Sequence, residues 1–283
     1  MKLYFVGTIF NVEYSIRDKI KFLISNLSTN YDLRFFIVES DSTDNTVSVL
    51  HDLQNSYACF TFISLGTLKQ MFPSRIKRIA YCRNRYIEWL RDQAIRDDDK
   101  IFVVDLDEEL DVRLFVKTLH EALAQNLDVT FASSSWRYYD IFALRSKGWV
   151  DESFNREISN FLNLGAGSLT EARWQFIYSK MRHIQSSASK IPVLSAFGAC
   201  CMIQGYVFNG VPNLSYDLSK ASEDECEHIN FNYQIKNAGF HLWILPSFRS
   251  SSINKHNSKY YYFLLVAKVR RILRLIFKFI TWS

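Results

Sequence analysis

The chain has 283 residues, of which 48% are hydrophobic and 16% aromatic, so it can bury a large core and lacks the composition of a disordered protein. Its formal net charge is +5, but the last 25 residues carry six cations and no acid. The remainder is close to neutral, which argues against a nucleic-acid-binding surface. The five cysteines are odd in number and include no Cys-x-x-Cys pair, so we expect reduced thiols, a cytoplasmic protein and no structural zinc site.

The first half of the chain alternates between apolar, strand-like segments and amphipathic, helical ones. The N-terminal apolar run is closed by Asn11 and Glu13, which makes it too short for a signal peptide and indicates a buried first strand. The alternation predicts an open α/β sheet flanked by helices, and such sheets bind ligands at the carboxyl ends of their strands. The predicted strands are 3–9, 34–38, 59–64 and 101–105, and the predicted helices are 14–27, 46–53 and 76–94.

The second half is less regular, and two residues in it mark the ends of predicted elements. Gly239 suits the end of a helix, because glycine readily takes the left-handed conformation that follows a helix. Pro246 is expected to close a strand, because proline has no N–H group for a sheet. The predicted elements are strand-like runs at 129–145 and 196–208, helices and loops over 150–190, a helix over 223–238 and a last strand over 240–245.

Two carboxylates, Asp105 and Asp107, follow the apolar strand at 101–105. At this spacing, where a strand turns away, both side chains can face one hard cation. Mg²⁺ and Mn²⁺ prefer oxygen ligands and are often completed by substrate phosphates. The alternative is a solvated acidic turn, since Asp-x-Asp is a common pattern.

A second acidic group ends the strand at 34–38. A carboxylate in this position can bind ribose hydroxyls or base N–H groups, which makes Glu39 and Asp41 candidate nucleoside ligands. The residues that follow are rich in hydroxyl groups, and Asp44 and Thr46 are expected to cap the next helix.

The predicted helix at 76–94 begins among cations. Arg75, Arg83 and the neighbouring Asn84 would suit a pyrophosphate, although a solvated basic face is the simpler explanation. Near the start of the helix at 223–238, acids could merely match the helix dipole. That explanation fits Glu227 and His228 less well, and a carboxylate or imidazole there could take a proton from a hydroxyl.

Together and in this order, the four blocks resemble the GT-A glycosyltransferases. The large inverting family that makes polysaccharides has a strand-end acid with a Ser-Thr-Asp-x-Thr loop, a small-residue-Arg-Asn segment, an Asp-x-Asp, and a Glu-Asp pair about a dozen residues before a glycine. A second similarity is to the capsule-associated α-mannosyltransferase family. The segments that carry the two similarities are 38–46, 79–90, 105–107, 138–145 and 226–239.

The resemblance implies a GT-A fold and transfer of a sugar from a GDP- or UDP-sugar donor to a glycan or lipid-linked saccharide acceptor, with Mn²⁺ or Mg²⁺, in cell-surface polysaccharide synthesis. The domain would be 1–255, with a nucleotide-binding half at 1–128, an acceptor-binding half at 129–255 and a tail at 256–283. It further implies that Glu39 and Asp41 bind the nucleoside and that Arg83 lies near the phosphates. The metal ligands would be Asp105, Asp107 and His256, with His241 the lesser candidate. The sugar or acceptor cleft would be lined by Tyr139, Asp140 and Arg145.

The chain departs from the inverting family at one position. His228 stands where that family has its catalytic aspartate. The base is then His228, Glu227 or Asp224, or the reaction retains configuration and needs no such base.

The segment at 259–283 has the pattern of an amphipathic helix. At about 100° per residue, its apolar side chains fall on one half of the helix and its cations on the other. Five interior cations argue against a transmembrane helix, and the pattern favours a helix lying on an anionic membrane at the inner face. Docking on the protein's own core is the alternative. The apolar half contains Leu265, Val269, Ile272, Leu273, Ile276, Phe279 and Ile280.

Two other functions fit parts of the pattern. A haloacid-dehalogenase-type phosphatase would use Asp105 as its nucleophile, although those enzymes place this motif on their first strand. The other is an inactive, membrane-bound scaffold of the same fold.

Overall fold

A computed structural model describes residues 1–106, 110–220 and 224–280, with the backbone alone at 271 and 274–280. Its strands are β1 (Lys2–Ile9), β2 (Asp32–Glu39), β3 (Phe60–Ser64), β4 (Lys100–Val104), β5 (Val129–Ser134), β6 (Ile191–Val193), β7 (Cys200–Gln204) and β8 (Leu242–Ser251). Its helices are α1 (Ile16–Leu27), α2 (Thr46–Ser56), α3 (Arg75–Arg91), α4 (Val112–Ala124), α5 (Phe154–Asn163), α6 (Leu169–Phe176), α7 (Gly205–Gly210), α8 (Glu227–Asn237) and α9 (Tyr260–Ile280).

The strands form one mixed sheet in the order β3-β2-β1-β4-β7-β5-β8-β6. The first four are mutually parallel, whereas β7 runs antiparallel to both β4 and β5, and β6 runs antiparallel to β8. The chain leaves β1 toward β2 and β3 on one side, and β4 lies on the other side. The strand order therefore reverses between β1 and β4, and a crevice opens at such a point outside the carboxyl ends of the strands.

Helices cover both faces of the sheet. Along β1, Leu3 and Phe5 belong to the core shared with α1, α2 and α4, while Tyr4 and Val6 belong to the core shared with α3 and α8. Successive side chains of a strand point to opposite faces, and a strand buried on both faces is apolar throughout. This explains why the first and fourth strands were recognisable from sequence, and the predicted α/β class is confirmed.

The last strand differs from the prediction. It does not end before Pro246 but continues to Ser251. Its pairing with β5 shifts register: Phe131 pairs with Ile244, but Ser133 pairs with Arg249. Pro246 lies within this irregular stretch. The strand does not need to donate a backbone N–H to its neighbour there, so a proline is tolerated. Gly239 follows α8 with φ of +96°, the left-handed conformation expected after a helix.

The first turns of the C-terminal helix α9 pack against the rest of the protein. Phe263 is buried and stacks on Tyr178 with ring centroids 4.0 Å apart. Arg270 donates to the Ser168 hydroxyl and lies 3.9 Å from Glu171. One face of α9 therefore docks on the 168–178 segment. Within the described part of the chain, no helix is long and apolar enough to cross a bilayer.

Candidate functional site

A cavity of about 1,140 Å³ opens where the strand order reverses. Residues after β1, β2 and β4 line one side of it, and the start of α3 and of α8 line another. Its volume is of the order expected for a ligand site. The predicted site residues that line it are Asp41, Arg75, Arg83, Asp105, Tyr139, Asp140, Glu227, His228 and His256.

The loops after β1 and β2 are tied together by hydrogen bonds. Thr43 N–H donates to the Asn11 side chain at 2.8 Å, and Asn45 N–H donates to Glu13 at 2.7 Å. Val12 N–H donates to the Thr46 hydroxyl at 2.8 Å. Of the two expected caps of α2, only Asp44 contacts the start of the helix, accepting from Thr46 N–H at 3.0 Å, and the N-cap residue is Asn45. The hydroxyl-rich loop at 40–46 fixes one wall of the cavity. Asn11, Ser42 and Thr43 in this wall were not predicted as site residues.

The two acids at the end of β2 have different surroundings. Glu39 is buried, accepts from Ser42 N–H and the Ser64 hydroxyl, and does not line the cavity. Asp41 does line it and has a φ of +62°. One oxygen of Asp41 accepts from the N–H groups of Leu68 and Lys69 at 2.9 and 3.0 Å. Its other oxygen lies 3.5 Å from Arg78 Nε, so Asp41 links the loop after β3 to the start of α3 at the wall of the cavity.

Arg83 joins two acids from distant parts of the chain. Its guanidinium lies 3.1 Å from Asp105 after β4 and 3.1 Å from Glu227 at the start of α8. It also lies over the rings of Phe197 and Tyr216, at 5.2 and 5.7 Å from the centroids. Although burial opposes its charge, the neighbouring hydroxyls and carboxylates hold the pKa of Arg83 well above its ordinary value. Arg83 is therefore a permanent buried cation between the two carboxylates.

Other cations surround the same cavity. Arg75 and Arg78 lie at the start of α3, and Lys69 lies on the loop before it. Lys255 and Lys259 come from the segment that leads into α9. Five cations around one concave surface attract an anion. Neither Lys255 nor Lys259 was predicted as a site residue, and Lys259 belongs to the segment that the sequence assigned to a membrane surface.

The opposite wall carries Tyr139, Asp140 and His256. The rings of Tyr139 and His256 stack with centroids 5.6 Å apart. Burial raises the pKa of Asp140, although the N–H groups of Gly198 and Ala143 donate to its carboxylate and oppose the rise. His256 therefore lines the cavity rather than standing apart on the surface, as the metal prediction requires.

Five predicted site residues within the described part of the chain are not among those that line the cavity. One is His241, the lesser metal candidate, which pairs with Asp128 at 3.4 Å. Besides Glu39, Asn84 makes two 2.8 Å hydrogen bonds to the backbone of Tyr216 and so fixes the segment before α8. Arg145 is buried in an ion pair with Glu225. Asp224 is exposed before α8. Asp107 lies outside the described residues.

The residues present suit a hard cation in chemical type. Asp105 supplies a carboxylate and His256 an imidazole to the same cavity, a donor set that Mn²⁺ accepts. Among residues 1–106, 110–220 and 224–280, no group of three His, Cys, Asp or Glu side chains stands ready to hold a metal ion. The metal site at Asp105, Asp107 and His256 therefore stays a prediction.

No protein-family model matches the chain, and no curated protein matches it. Similar solved structures include GalNAc-T7 with UDP, GalNAc and Mn²⁺, at a TM-score of 0.52 and 9% identity over 90% of this chain and 44% of that one. Residues 1–349 of S. aureus TarS in complex with UDP-GlcNAc align with a TM-score of 0.50 and 12% identity, over 91% of this chain and 61% of that one. This chain therefore spans less than two thirds of either structure. The shared feature is the fold, and the predicted GT-A fold is confirmed.

Proposed function

We propose that this protein is a metal-dependent glycosyltransferase that moves a sugar from a nucleoside-diphosphate donor, a GDP- or UDP-sugar, to a glycan or lipid-linked saccharide. The observation that carries the proposal is the cavity at the strand-order reversal, which is lined by the carboxylates of Asp41 and Asp105 together with several cations. Carboxylates at strand ends suit nucleoside hydroxyls and a cation, and the cations suit a diphosphate.

The donor would lie along the wall formed by the ends of β1, β2 and β4. Asp41 would bind the nucleoside, and Arg75 at the start of α3, with Lys69 on the loop before it, would bind the diphosphate. Arg83, which the sequence placed at the phosphates, has its guanidinium engaged by Asp105 and Glu227. It therefore acts on the donor through these two acids.

Asp105, Asp107 and His256 would hold Mn²⁺ or Mg²⁺. When bound, the cation would neutralise the charge that develops on a diphosphate leaving group. The acceptor would enter between Tyr139, Asp140 and Glu227, which line the opposite wall.

Isothermal titration of the protein with UDP, GDP, CMP and dTDP, with and without Mn²⁺, tests the proposal. We expect one nucleotide to bind in a Mn²⁺-dependent way and Asp105→Asn to weaken it at least about tenfold, which is 1.4 kcal/mol. Asp52→Asn is the matched control, because Asp52 pairs with Arg17 on the surface and lies away from the cavity lining. Absence of binding by all four nucleotides would sink the proposal, and phosphate release without a nucleotide donor would favour the phosphatase.

We further propose that α9 holds the protein on the inner face of an anionic membrane, where a lipid-linked acceptor in cell-surface polysaccharide synthesis would be found. The side of α9 opposite Phe263 is apolar and open to solvent, with Tyr261, Leu265 and Ile272 each more than half exposed. A helix of this kind lies in the membrane interface, and each nearby cation adds about 1 kcal/mol of attraction to anionic lipid. Lys259, at the base of α9, lines the cavity, so the membrane would lie beside the cavity.

Flotation with vesicles tests this docking. We expect the full chain to float with vesicles containing anionic lipid and not with neutral ones. Replacing Leu265 and Ile272 by glutamate should abolish flotation. Replacing Tyr14 and Met71, which lie elsewhere and are more exposed than Leu265 and Ile272, by glutamate should leave it unchanged. Equal flotation of both double variants would exclude α9 as the membrane-binding element.

A further inference from the structure

Five buried side chains at the inner wall of the cavity form a nearly closed ring of polar contacts, here called the buried ring. The Arg83 guanidinium lies 3.3 Å from the Tyr86 hydroxyl, which donates to the Tyr216 hydroxyl at 3.0 Å. The Tyr216 hydroxyl lies 3.5 Å from His228 Nδ1. On the other side, His228 Nε2 lies 3.8 Å from Glu227 Oε1, which pairs with Arg83 Nε at 3.1 Å.

The donors of the ring can be assigned from chemistry. A guanidinium only donates, so the Tyr86 hydroxyl accepts from Arg83 and its own proton is directed to Tyr216. The Tyr216 proton is then directed to His228 Nδ1, which must be the unprotonated nitrogen. Nε2 therefore carries the imidazole proton and faces the Glu227 carboxylate. The opposite tautomer would leave the Tyr216 proton without a partner and set a lone pair against a carboxylate oxygen.

Two further observations fit this assignment. His228 is buried and stacks on Phe197 at 3.9 Å, and burial together with nearby Arg83 lowers its pKa well below the ordinary value. His228 Nε2 is closed to solvent, and among the residues that the structure describes it has no partner within hydrogen-bond distance. Because N–H···O bonds measure roughly 2.7–3.2 Å, an approach of about 0.6 Å to Glu227 would close the ring.

We propose that His228 is a positioning residue, a neutral imidazole that donates from Nε2 to Glu227 and so orients the carboxylate that hydrogen-bonds the acceptor hydroxyl. This rests on the proposed function, and it reassigns the residue that occupies the place of the family's base. The depressed basicity and the closed Nε2 make His228 a poor proton acceptor. Glu227 lines the cavity, and its Oε1 pairs with Arg83 Nε at 3.1 Å while His228 Nε2 faces the same oxygen at 3.8 Å.

Substituting His228 by glutamine and by phenylalanine separates positioning from base catalysis. Glutamine can replace the Nε2 donor, whereas phenylalanine keeps the stacking on Phe197 and removes the donor. We expect kcat of His228→Gln to stay within about fivefold of wild type, while that of His228→Phe falls about 10–100-fold with the donor KM little changed. If His228 were the base, both variants would lose about 10²–10⁴-fold, and that result would overturn the proposal. His120→Gln, an exposed histidine beside Glu121, is the control.

A second measurement does not depend on activity. Nitrogen NMR of the protein labelled with [¹⁵N]histidine should show one of the six imidazoles still as a neutral Nε2–H tautomer at about pH 5, where ordinary histidines are cationic, and this signal should be missing from the His228→Gln spectrum. Tyr216→Phe, which removes the hydroxyl that faces Nδ1, should alter this signal. A cationic His228 or a proton on Nδ1 would refute the ring. If wild type shows no donor-dependent activity, the proposed function fails, and the spectrum still decides whether the ring exists.

Discussion

Replacing Arg83 by methionine removes the cation that separates two carboxylates while keeping most of the side-chain volume. Arg83 is 3% exposed, and its partner Glu227 has a side chain only 6% exposed. Removing one member of a buried ion pair leaves an uncompensated charge and typically costs 3–5 kcal/mol. Asp105, with a side chain 30% exposed, is partly solvated and adds less. We therefore expect Arg83→Met to lower the free energy of unfolding by about 3–4 kcal/mol, a large part of the roughly 5–15 kcal/mol typical of a native protein.

Urea unfolding followed by circular dichroism measures this loss. Arg17→Met is the control, because Arg17 pairs with Asp52 at 2.6 Å on the surface, and such a pair contributes about 0–1 kcal/mol. Adding Glu227→Gln to Arg83→Met removes the unpaired charge and should restore at least about 1 kcal/mol. The reasoning fails if Arg83→Met resembles Arg17→Met, or if the double variant is no more stable than Arg83→Met.

Two further predictions concern the sheet. A methyl group on Gly7 would lie 2.1 Å from the Val104 carbonyl oxygen, so Gly7→Ala must separate β1 from β4. We expect the substitution to lower the free energy of unfolding by about 1–3 kcal/mol or more, as measured by thermal unfolding. An unchanged melting temperature would contradict this close packing. Burial alone would raise the pKa of Asp99, but N–H donors from Lys2 and Arg96 lower it below its ordinary value. Because the folded-state pKa is depressed, the stabilisation is present above about pH 4 and is lost as pH falls further. Asp99→Asn should therefore cost about 1–3 kcal/mol at pH 7 and much less at pH 3, and a loss that does not depend on pH would exclude this cause.

The stability of the cavity and its chemistry are linked through Arg83. The same guanidinium that compensates the buried charges also orients Asp105 and Glu227. A loss of activity in an Arg83 variant is therefore informative only at a temperature where the variant is folded. Thermal unfolding of the variant sets that temperature range and should come before any kinetic comparison.

The sequence by itself determined the features that depend on local periodicity. Apolar runs placed the first and fourth strands, a strand-end position marked Asp41 and Asp105 as cavity residues, and Gly239 marked the end of α8. These inferences succeed because side-chain alternation and turn chemistry are set by neighbouring residues. The Asp105–Asp107 metal site is also a local pattern, and it stays a prediction because Asp107 lies outside the described residues.

Only the tertiary structure decided which distant residues meet. The insertion of antiparallel β7 between β4 and β5, and the continuation of β8 past Pro246 through a shift in register, follow from pairing between remote strands. The contact of Arg83 with Glu227 joins residues 144 positions apart, and no local pattern reveals it. For the same reason, the motif around Arg83 suggested a phosphate ligand but did not reveal that Arg83 is buried between two acids in the folded protein. Burial and partners set the role of a charged group, and both arise only when the chain has packed.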